Sequence, residues 1–418
     1  MNFMHRRTLR DILLNRLLLA ISLAGVLFFF FLPNRGLLEW SIRLSGMLLL
    51  SHIFIGDYQI STIPKTFFIL LWITAILLLL SVIFSGPHTD THRMYRVIKM
   101  LIIAFSVHCL SRGHLDERAF FLFGAILAIL IVWQFIARSF IGMPYGAYSN
   151  PHYLANLASL TLPFLFYYFF VAPRPYNFLF VPLLTLMAID LLLKTSSRPA
   201  ILGLVVSTIF GIFFLVRSKR KWIALAAFAG ACLLLYATNY ANVTERIQNL
   251  IVNLPTEERV QFWADTWKML KHNSLGAWLV GNGIGSFPDF FRIYSIPKYN
   301  FFSFPHNHLL QILFDNGLIG LLILVTAQAL LLFLMVRLTN RAGDLNGRVF
   351  ISCMTVVYVT WLIFSSLVFG FYSRFALYPF AFILGTALSL AEKSPGVPSM
   401  RLVNSNVNGF TPLDGSGD

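Results

Sequence analysis

The chain has 418 residues, of which 57% are hydrophobic and only 12% are charged. Soluble globular proteins carry roughly 25% charged residues, so this composition excludes an ordinary soluble domain. The formal net charge of +15 would suit a nucleic-acid-binding protein, but the basic residues lie in short segments between apolar runs, as in the cytoplasmic loops of membrane proteins. We therefore expect no nucleic-acid partner.

Apolar runs recur along the chain, and each is long enough to cross a hydrocarbon layer of roughly 30 Å as a helix. The composition and this spacing predict an all-α, polytopic membrane protein with about 12 transmembrane helices. Basic residues are denser on the side that this count places in the cytoplasm, for example at 217–221, so both termini are predicted to be cytoplasmic. The predicted segments are residues 17–32, 37–55, 67–85, 95–110, 119–136, 153–171, 178–193, 200–216, 222–238, 309–336, 349–371 and 375–391.

One connection differs from the others in length and divides the chain. Residues 239–305 form a polar and aromatic stretch that the topology places on the outer face. Loops of this length are functional or disordered, and the many aromatic side chains favour an ordered loop. The predicted organisation is transmembrane helices 1 to 9 over residues 1–238, the outer loop over 239–305, helices 10 to 12 over 306–391, and a disordered cytoplasmic tail over 392–418.

Within the outer loop, a helix is predicted over residues 257–271, with Thr256 as its N-cap. The periodicity places four side chains along one stripe, which are Arg259, Trp263, Trp267 and Leu270. Two interpretations of Arg259 stay open: it serves a functional site, or it belongs to the solvated face of an amphipathic helix lying on the membrane.

A second candidate is Arg198, in the segment Ser196-Ser197-Arg198-Pro199 at the outer end of the eighth predicted helix. Proline suits the first helical position, which places Arg198 at the helix start. A cation there opposes the helix dipole and is favourable mainly when an anion lies between it and the free N–H groups. The alternative is a structural arginine paired with a carboxylate such as Asp190.

A third candidate is His306, followed by Asn307 and His308 at the start of the tenth predicted helix. An imidazole can act as a base near neutral pH, and the helix start directs unpaired N–H groups to the outer side. In the alternative interpretation, Asn307 is only a helix cap and the histidines mark the membrane interface. No carboxylate lies at ligand spacing from these histidines, so a metal site is not expected.

The segment 281–287 (Gly-Asn-Gly-Ile-Gly-Ser-Phe) superficially resembles a phosphate-binding loop. It lacks the third glycine of GxGxxG and the Lys-Ser/Thr of a P-loop, and it follows no predicted strand. A tight turn flanked by aromatic residues is therefore predicted.

Together these segments resemble the O-antigen ligase family, within the wider group that includes O-antigen polymerases and bacterial protein O-oligosaccharyltransferases. The resemblance rests on residues 146–152 (Gly-Ala-Tyr-Ser-Asn-Pro-His), Ser197-Arg198-Pro199-Ala200, Arg259 with Trp263, residues 281–287, and His306-Asn307 followed after nine residues by Gly317-Leu318-Ile319-Gly320. The last pattern is similar to the family's H[NSQ]x9GxxG signature. The sequence departs from many relatives at Pro199, where they have glycine.

The resemblance implies a bacterial inner-membrane glycosyltransferase whose active site faces the periplasm, so that residues 239–305 become a periplasmic loop. Its donor would be a glycan on undecaprenyl diphosphate and its acceptor the lipid A core oligosaccharide. By the same resemblance His306 would be the general base, Arg198 and Arg259 would bind the diphosphate, and Asn307, Trp263 and Asn150 would support them. Direct attack on an α-linked donor would invert the anomeric centre, and neither a metal nor another cofactor is implied.

Two alternatives stay open from the sequence. An O-antigen polymerase, or another transferase of lipid-linked glycans, needs the same donor chemistry and differs in its acceptor; a single large outer loop favours the ligase. A transporter or lipid flippase would instead place ionisable residues along a pathway near the bilayer midplane. Clustering of Arg198, Arg259 and His306 would favour the transferase.

Overall fold

The computed structural model of the chain describes residues 17–26, 35–55, 90–111, 117–143, 150–171, 177–195, 197–215, 221–242, 257–295, 302–342 and 345–392, together with isolated positions between 72 and 83 and between 244 and 252. Every regular element in this part of the chain is helical, in agreement with the all-α prediction. The predicted tail at 392–418 falls, apart from its first residue, outside the described residues.

Fourteen α-helices occur in the described ranges. They are α1 (Leu17–Val26), α2 (Arg35–Ile55), α3 (Thr91–Ser111), α4 (Glu117–Ser139), α5 (Pro151–Val171), α6 (Asn177–Lys194), α7 (Arg198–Phe210), α8 (Lys221–Ala237), α9 (Glu258–Lys271), α10 (Leu275–Val280), α11 (Phe287–Tyr294), α12 (His308–Arg341), α13 (Leu345–Val368) and α14 (Arg374–Glu392). A π-helical turn, Gly211–Leu215, continues α7, and Tyr240–Asn242 form a 3₁₀ turn.

Described helices coincide with eleven of the twelve predicted apolar segments, and the remaining one, residues 67–85, lies almost wholly outside the described residues. Two described helices, His308–Arg341 and Gly347–Val368, are long and apolar enough to cross a membrane. The number of crossings and their orientation stay predictions.

Helix α13 is the centre of the bundle and packs against α5, α7, α12 and α14. Its large side chains Tyr358, Trp361 and Phe364 are fully buried. Close packing against α7 is possible because Gly203 has no side chain to separate that helix from the α13 backbone at Thr360. On the other side of the bundle, α14 packs along α3, and α3 packs on α2.

The described part of the predicted outer loop is folded, as its aromatic content indicated. Helices α9, α10 and α11 surround a small core with the start of α12, made of Phe262, Met269, Leu270, Phe287, Phe291, Leu313 and Phe314. The predicted helix 257–271 is observed from Glu258 to Lys271 with Glu257 at the N-cap, while Thr256 lies outside the described residues. Of the residues on the predicted stripe, Trp267 is 46% exposed, and the small core instead contains Phe262 and Met269.

Helix α12 is broken near its start, at Gly317, whose φ is 67° and ψ is −170°. The break deprives the carbonyls of Phe314 and Asp315 of helical partners four residues on. The backbone N–H groups of Asn282 and Gly283 donate to these two carbonyls at 2.9 Å each. Residues 281–287 therefore dock on the helix break, and the tight turn predicted there is what the structure shows.

The docking requires glycine on both sides. Gly281 and Gly317 both have positive φ values, and a Cβ on either would lie under 3.0 Å from backbone atoms of the opposite segment. Only glycine lacks a Cβ, and for the same reason it adopts a positive φ readily. The break in α12 and the 281–287 turn thus form one interlocked unit beside the His306 segment.

Candidate active site

Arg198, Arg259 and His306 lie together, although they come from three different parts of the chain. Arg198 opens α7, Arg259 lies in the first turn of α9, and His306 precedes the cap of α12. The charge of Arg259 interacts with both Arg198 and His306. His152, in the first turn of α5, joins them, and we call these four residues the arginine–histidine cluster.

Arg198 is an ion-paired residue in this structure. Its Nη1 donates to Glu257 Oε2 at 3.0 Å, and the two side chains are 39% and 33% exposed. The pairing with Asp190 considered from the sequence is wrong, because Asp190 instead pairs with Lys194 at 2.8 Å. Glu257 therefore holds one nitrogen of the Arg198 guanidinium.

Helix α7 begins without a side-chain cap. Ser197 is its N-cap residue, yet its hydroxyl makes no capping hydrogen bond and lies 3.0 Å from His152 Nδ1 instead. The next position, Pro199, has no N–H to satisfy. The positive end of the helix dipole is thus left uncompensated by a side chain next to Arg198.

Arg259 is held by His152. Its Nη2 lies 3.1 Å from His152 Nε2, and a guanidinium can only donate hydrogen bonds, so Nε2 is the acceptor and the proton is on Nδ1. Burial lowers the pKa of His152 to about 4, and the positive charges of Arg259 and His306 act in the same direction. His152 is therefore neutral at pH 7. Burial and the neighbouring Arg198 also lower the pKa of Arg259, against the effect of Glu257.

His306 is fixed by its backbone and by its ring. Its φ of 53° is a left-handed conformation that costs a non-glycine residue roughly 1–2 kcal/mol. Its Nδ1 donates to the carbonyl of Val368 at 2.9 Å, which leaves the lone pair on Nε2. Its ring stacks on Phe262 with centroids 5.7 Å apart, and Phe304 lies at 4.6 Å.

Burial is also the main reason why the pKa of His306 falls to about 4; Arg259 lowers it further, while the Val368 carbonyl and Glu258 oppose the shift. The imidazole is therefore neutral at pH 7 and has a free lone pair on Nε2. A neutral imidazole in this tautomer can accept a proton from a hydroxyl group.

The three residues expected to support the site use their polar atoms on nearby backbone. Asn307 Oδ1 caps α12 by accepting from the N–H groups of Leu309 and Leu310, at 3.0 and 3.1 Å. Asn150 Oδ1 caps α5 by accepting from the His152 N–H at 2.8 Å. Trp263 Nε1 donates to the carbonyl of Pro305 at 3.1 Å. All three thus hold the backbone beside His152 or His306.

Arg93, on α3, also fixes the segment before His306. Its Nη2 donates to the carbonyl of Ser303 at 3.1 Å, its Nε pairs with Asp90 at 2.9 Å, and its Nη1 lies 3.9 Å from Asp315. Arg93 was not among the candidate residues chosen from the sequence. No local pattern could identify it, because Arg93 and Ser303 are 210 residues apart.

His308 faces the bundle core and lies apart from the cluster. It is 1% exposed, with Gln328 Nε2 at 3.3 Å from its Nε2 and Ser365 Oγ at 3.4 Å from its Nδ1. Its ring stacks on Trp361. Among the described residues, no group of three or more His, Cys, Asp or Glu side chains is placed to hold a metal ion.

His152 was missed as a site residue, although the sequence contained a signal for it. Residues 146–152 had been noted only as part of a family resemblance. The Asn150-Pro151 pair is typical of a helix start, which places His152 in the first turn of α5, facing the same end of the bundle as Arg198.

Comparison with known proteins identifies a family for this region. The family model described as O-antigen ligase matches residues 182–325, about a third of the chain, which include Arg198, Arg259 and His306. No curated protein matches the chain. The match agrees with the resemblance seen in the motifs, so residues 182–325 of this chain are similar to the O-antigen ligase family.

Proposed function

We propose that this protein is an O-antigen ligase, which transfers O-antigen polysaccharide from undecaprenyl diphosphate to the lipid A core oligosaccharide. The observation that carries the proposal is the arginine–histidine cluster, which joins two guanidinium groups to a neutral imidazole. The family match supports a ligase or polymerase type of function.

The donor's diphosphate would be bound by Arg198 and Arg259. Guanidinium groups form bidentate hydrogen bonds with phosphate oxygens, and two of them can balance a diphosphate that is partly removed from water. The start of α7, with no side-chain cap, adds its dipole beside Arg198. Glu257 would be displaced from Arg198 when the diphosphate binds.

His306 would act as the general base. Its Nε2 would take the proton of the acceptor hydroxyl as that oxygen forms a bond to the anomeric carbon, while the bond from that carbon to the diphosphate oxygen breaks. The electron pair leaves with undecaprenyl diphosphate, whose added negative charge the two arginines stabilise. This direct displacement inverts the anomeric configuration and uses no metal, nucleotide or other cofactor.

The pKa of His306 depends on the charges beside it. A bound diphosphate places negative charge beside the imidazole and partly cancels the effect of Arg259, so the pKa should rise toward neutrality in the donor complex. A base whose pKa approaches the working pH is more effective. Donor binding would in this way activate the base.

The proposal includes a location. The chain would cross the bacterial inner membrane about 12 times with both termini in the cytoplasm, and residues 239–305 would lie in the periplasm with the cluster. The two long apolar helices α12 and α13 support a membrane location. Clustering of ionisable residues at three helix starts, rather than along one path, favours a transferase over a transporter or flippase.

Reconstitution tests the proposal directly. Purified protein in liposomes is supplied with lipid-linked O-antigen and rough lipopolysaccharide, without nucleotide or metal, and products are separated by gel electrophoresis. Transfer of glycan to lipopolysaccharide supports the ligase, and longer lipid-linked chains without transfer would identify a polymerase. If neither product forms although the wild-type protein is folded and binds lipid-linked donor, the transferase proposal fails.

A further inference from the structure

We propose that His152 is a positioning residue that holds the Arg259 guanidinium in its diphosphate-binding place. This inference rests on the proposed function. It assigns to His152 a role that depends on one ring nitrogen, Nε2, and on one partner, Arg259.

The hydrogen bond between Arg259 and His152 can have only one direction. Arg259 Nη2 and His152 Nε2 are 3.1 Å apart, and arginine has no acceptor atom, so the imidazole must accept. The Nδ1–H then points to Ser197 Oγ at 3.0 Å, and that serine is fully buried. Both nitrogens of His152 are occupied, so it has no free lone pair with which to act as a base.

The two arginines carry like charges. Arg198 and Arg259 therefore repel each other. Glu257 neutralises Arg198 by a direct hydrogen bond, whereas Arg259 receives a neutral acceptor from the bundle. A neutral acceptor holds a guanidinium in place without competing, as a carboxylate would, for its positive charge.

Two hydrogen bonds connect Arg259 to the bundle. Arg259 lies on α9, which belongs to the folded outer segment, whereas His152 and Ser197 belong to the starts of α5 and α7. The chain Ser197–His152–Arg259 therefore links the outer segment to the bundle at the start of α7. Preorganising a binding group in this way increases affinity because less motion is lost when the ligand binds.

Two amide substitutions separate the role of Nε2 from that of Nδ1. In His152→Gln the amide oxygen lies three bonds beyond Cβ, as Nε2 does, and can accept from Arg259. In His152→Asn the amide lies two bonds beyond Cβ, as Nδ1 does, and can bond only Ser197. The two variants are matched in polarity, and His152→Ala removes both contacts.

The measurement is the dissociation constant for undecaprenyl diphosphate, with full-length protein in detergent and His272→Ala as an exposed-histidine control. We expect the Ala and Asn variants to bind about tenfold more weakly, as expected for losing a hydrogen bond to a charged group. The Gln variant should stay within about threefold of wild type. Because both residues act as one unit, adding His152→Ala to Arg259→Ala should weaken binding no further.

Other results would overturn the inference. If Asn binds like wild type and Gln does not, His152 acts through Ser197 as a structural residue. If the two alanine effects add, His152 acts independently of Arg259. If Arg259→Ala is impaired while every His152 variant binds normally, only this inference fails; if Arg259→Ala itself binds like wild type, the proposed function loses its diphosphate site. Should the alanine variant not fold, the Gln–Asn comparison decides alone.

Discussion

Replacing Glu257 by glutamine is expected to tighten the binding of undecaprenyl diphosphate. The Glu257 carboxylate accepts from Arg198 at 3.0 Å, so a diphosphate must first displace it. Glutamine keeps the size of the side chain but removes the competing charge. Although Glu257 is the N-cap residue of α9, its side chain makes no capping hydrogen bond, so the substitution removes no cap.

The magnitude follows from the exposure of the pair. The Arg198 and Glu257 side chains are 39% and 33% exposed, and ion pairs of this kind contribute about 0.2–1 kcal/mol. Losing that competition should lower the dissociation constant by a factor of about 1.5 to 5. The difference from wild type should shrink at high salt, since salt screens exposed charges.

The assay is a titration of purified protein with undecaprenyl diphosphate at low and at high ionic strength. Asp289→Asn, on α11, changes the net charge by the same amount and controls for the overall field. Equal or weaker binding by Glu257→Gln would refute the displacement of this carboxylate. An equal gain in Asp289→Asn would show that only net charge matters.

The remaining predictions concern the base, the arginines and the helix break. His306→Ala should leave at most about one per cent of the transfer rate in membrane-inserted protein that still binds donor, because a general base contributes about 10² to 10⁴-fold. His308→Ala leaves a cavity in the core, so it should lower the amount of folded protein and not the rate per folded molecule. The pKa of His306 is about 4, so kcat/KM of the wild type should stay level from pH 8 to about pH 5. It should fall as the pH drops through about 4, where the imidazole gains a proton. A fall centred near pH 6.5 would contradict this. Arg198→Lys and Arg259→Lys should each reduce the transfer rate by about tenfold or more with unchanged thermal stability, because lysine keeps the charge but lacks the planar guanidinium fork. Normal transfer rates in both variants would exclude phosphate binding by these side chains. Gly317→Ala should sharply reduce the yield of folded protein, measured by size-exclusion chromatography, because its Cβ would lie under 3.0 Å from backbone of the 281–287 side; a normal yield would refute the close approach.

Residues whose role depends on local sequence were predictable. The Asn307 cap of α12 was predictable because asparagine before an apolar run is a helix-start signal. The position of Arg198 at the start of α7 was predictable because proline follows it. The helix 257–271 was found with an error of one residue at its start for the same reason. Periodicity did not show which face of this helix is buried, and the small core leaves Trp267 46% exposed.

Partners that are distant in the chain could not be predicted from one sequence. Glu257 reaches Arg198 over 59 residues, and His152 reaches Arg259 over 107 residues. Nothing in the local pattern selects these partners over other residues of the same type. The sequence offered Asp190 as an example of a carboxylate partner for Arg198 because it is near in the chain. Packing instead brings α9 to the start of α7, and Asp190 pairs with Lys194.

The interlocked glycines Gly281 and Gly317 limit how parts of this protein can be exchanged with relatives. The backbone of each segment occupies the space that a side chain on the other segment's glycine would need. The two segments therefore fit each other closely, and a segment from another protein would have to match that fit. A graft of the outer segment would therefore have to bring the start of α12 with it. The smallest exchangeable block contains α9 to α12 together, and with it travel Arg259 and His306 but neither Arg198 nor His152. If residues of this block determine a difference in specificity between relatives, that difference would be exchanged as one unit. The bundle would keep Arg198 and His152, the other half of the cluster.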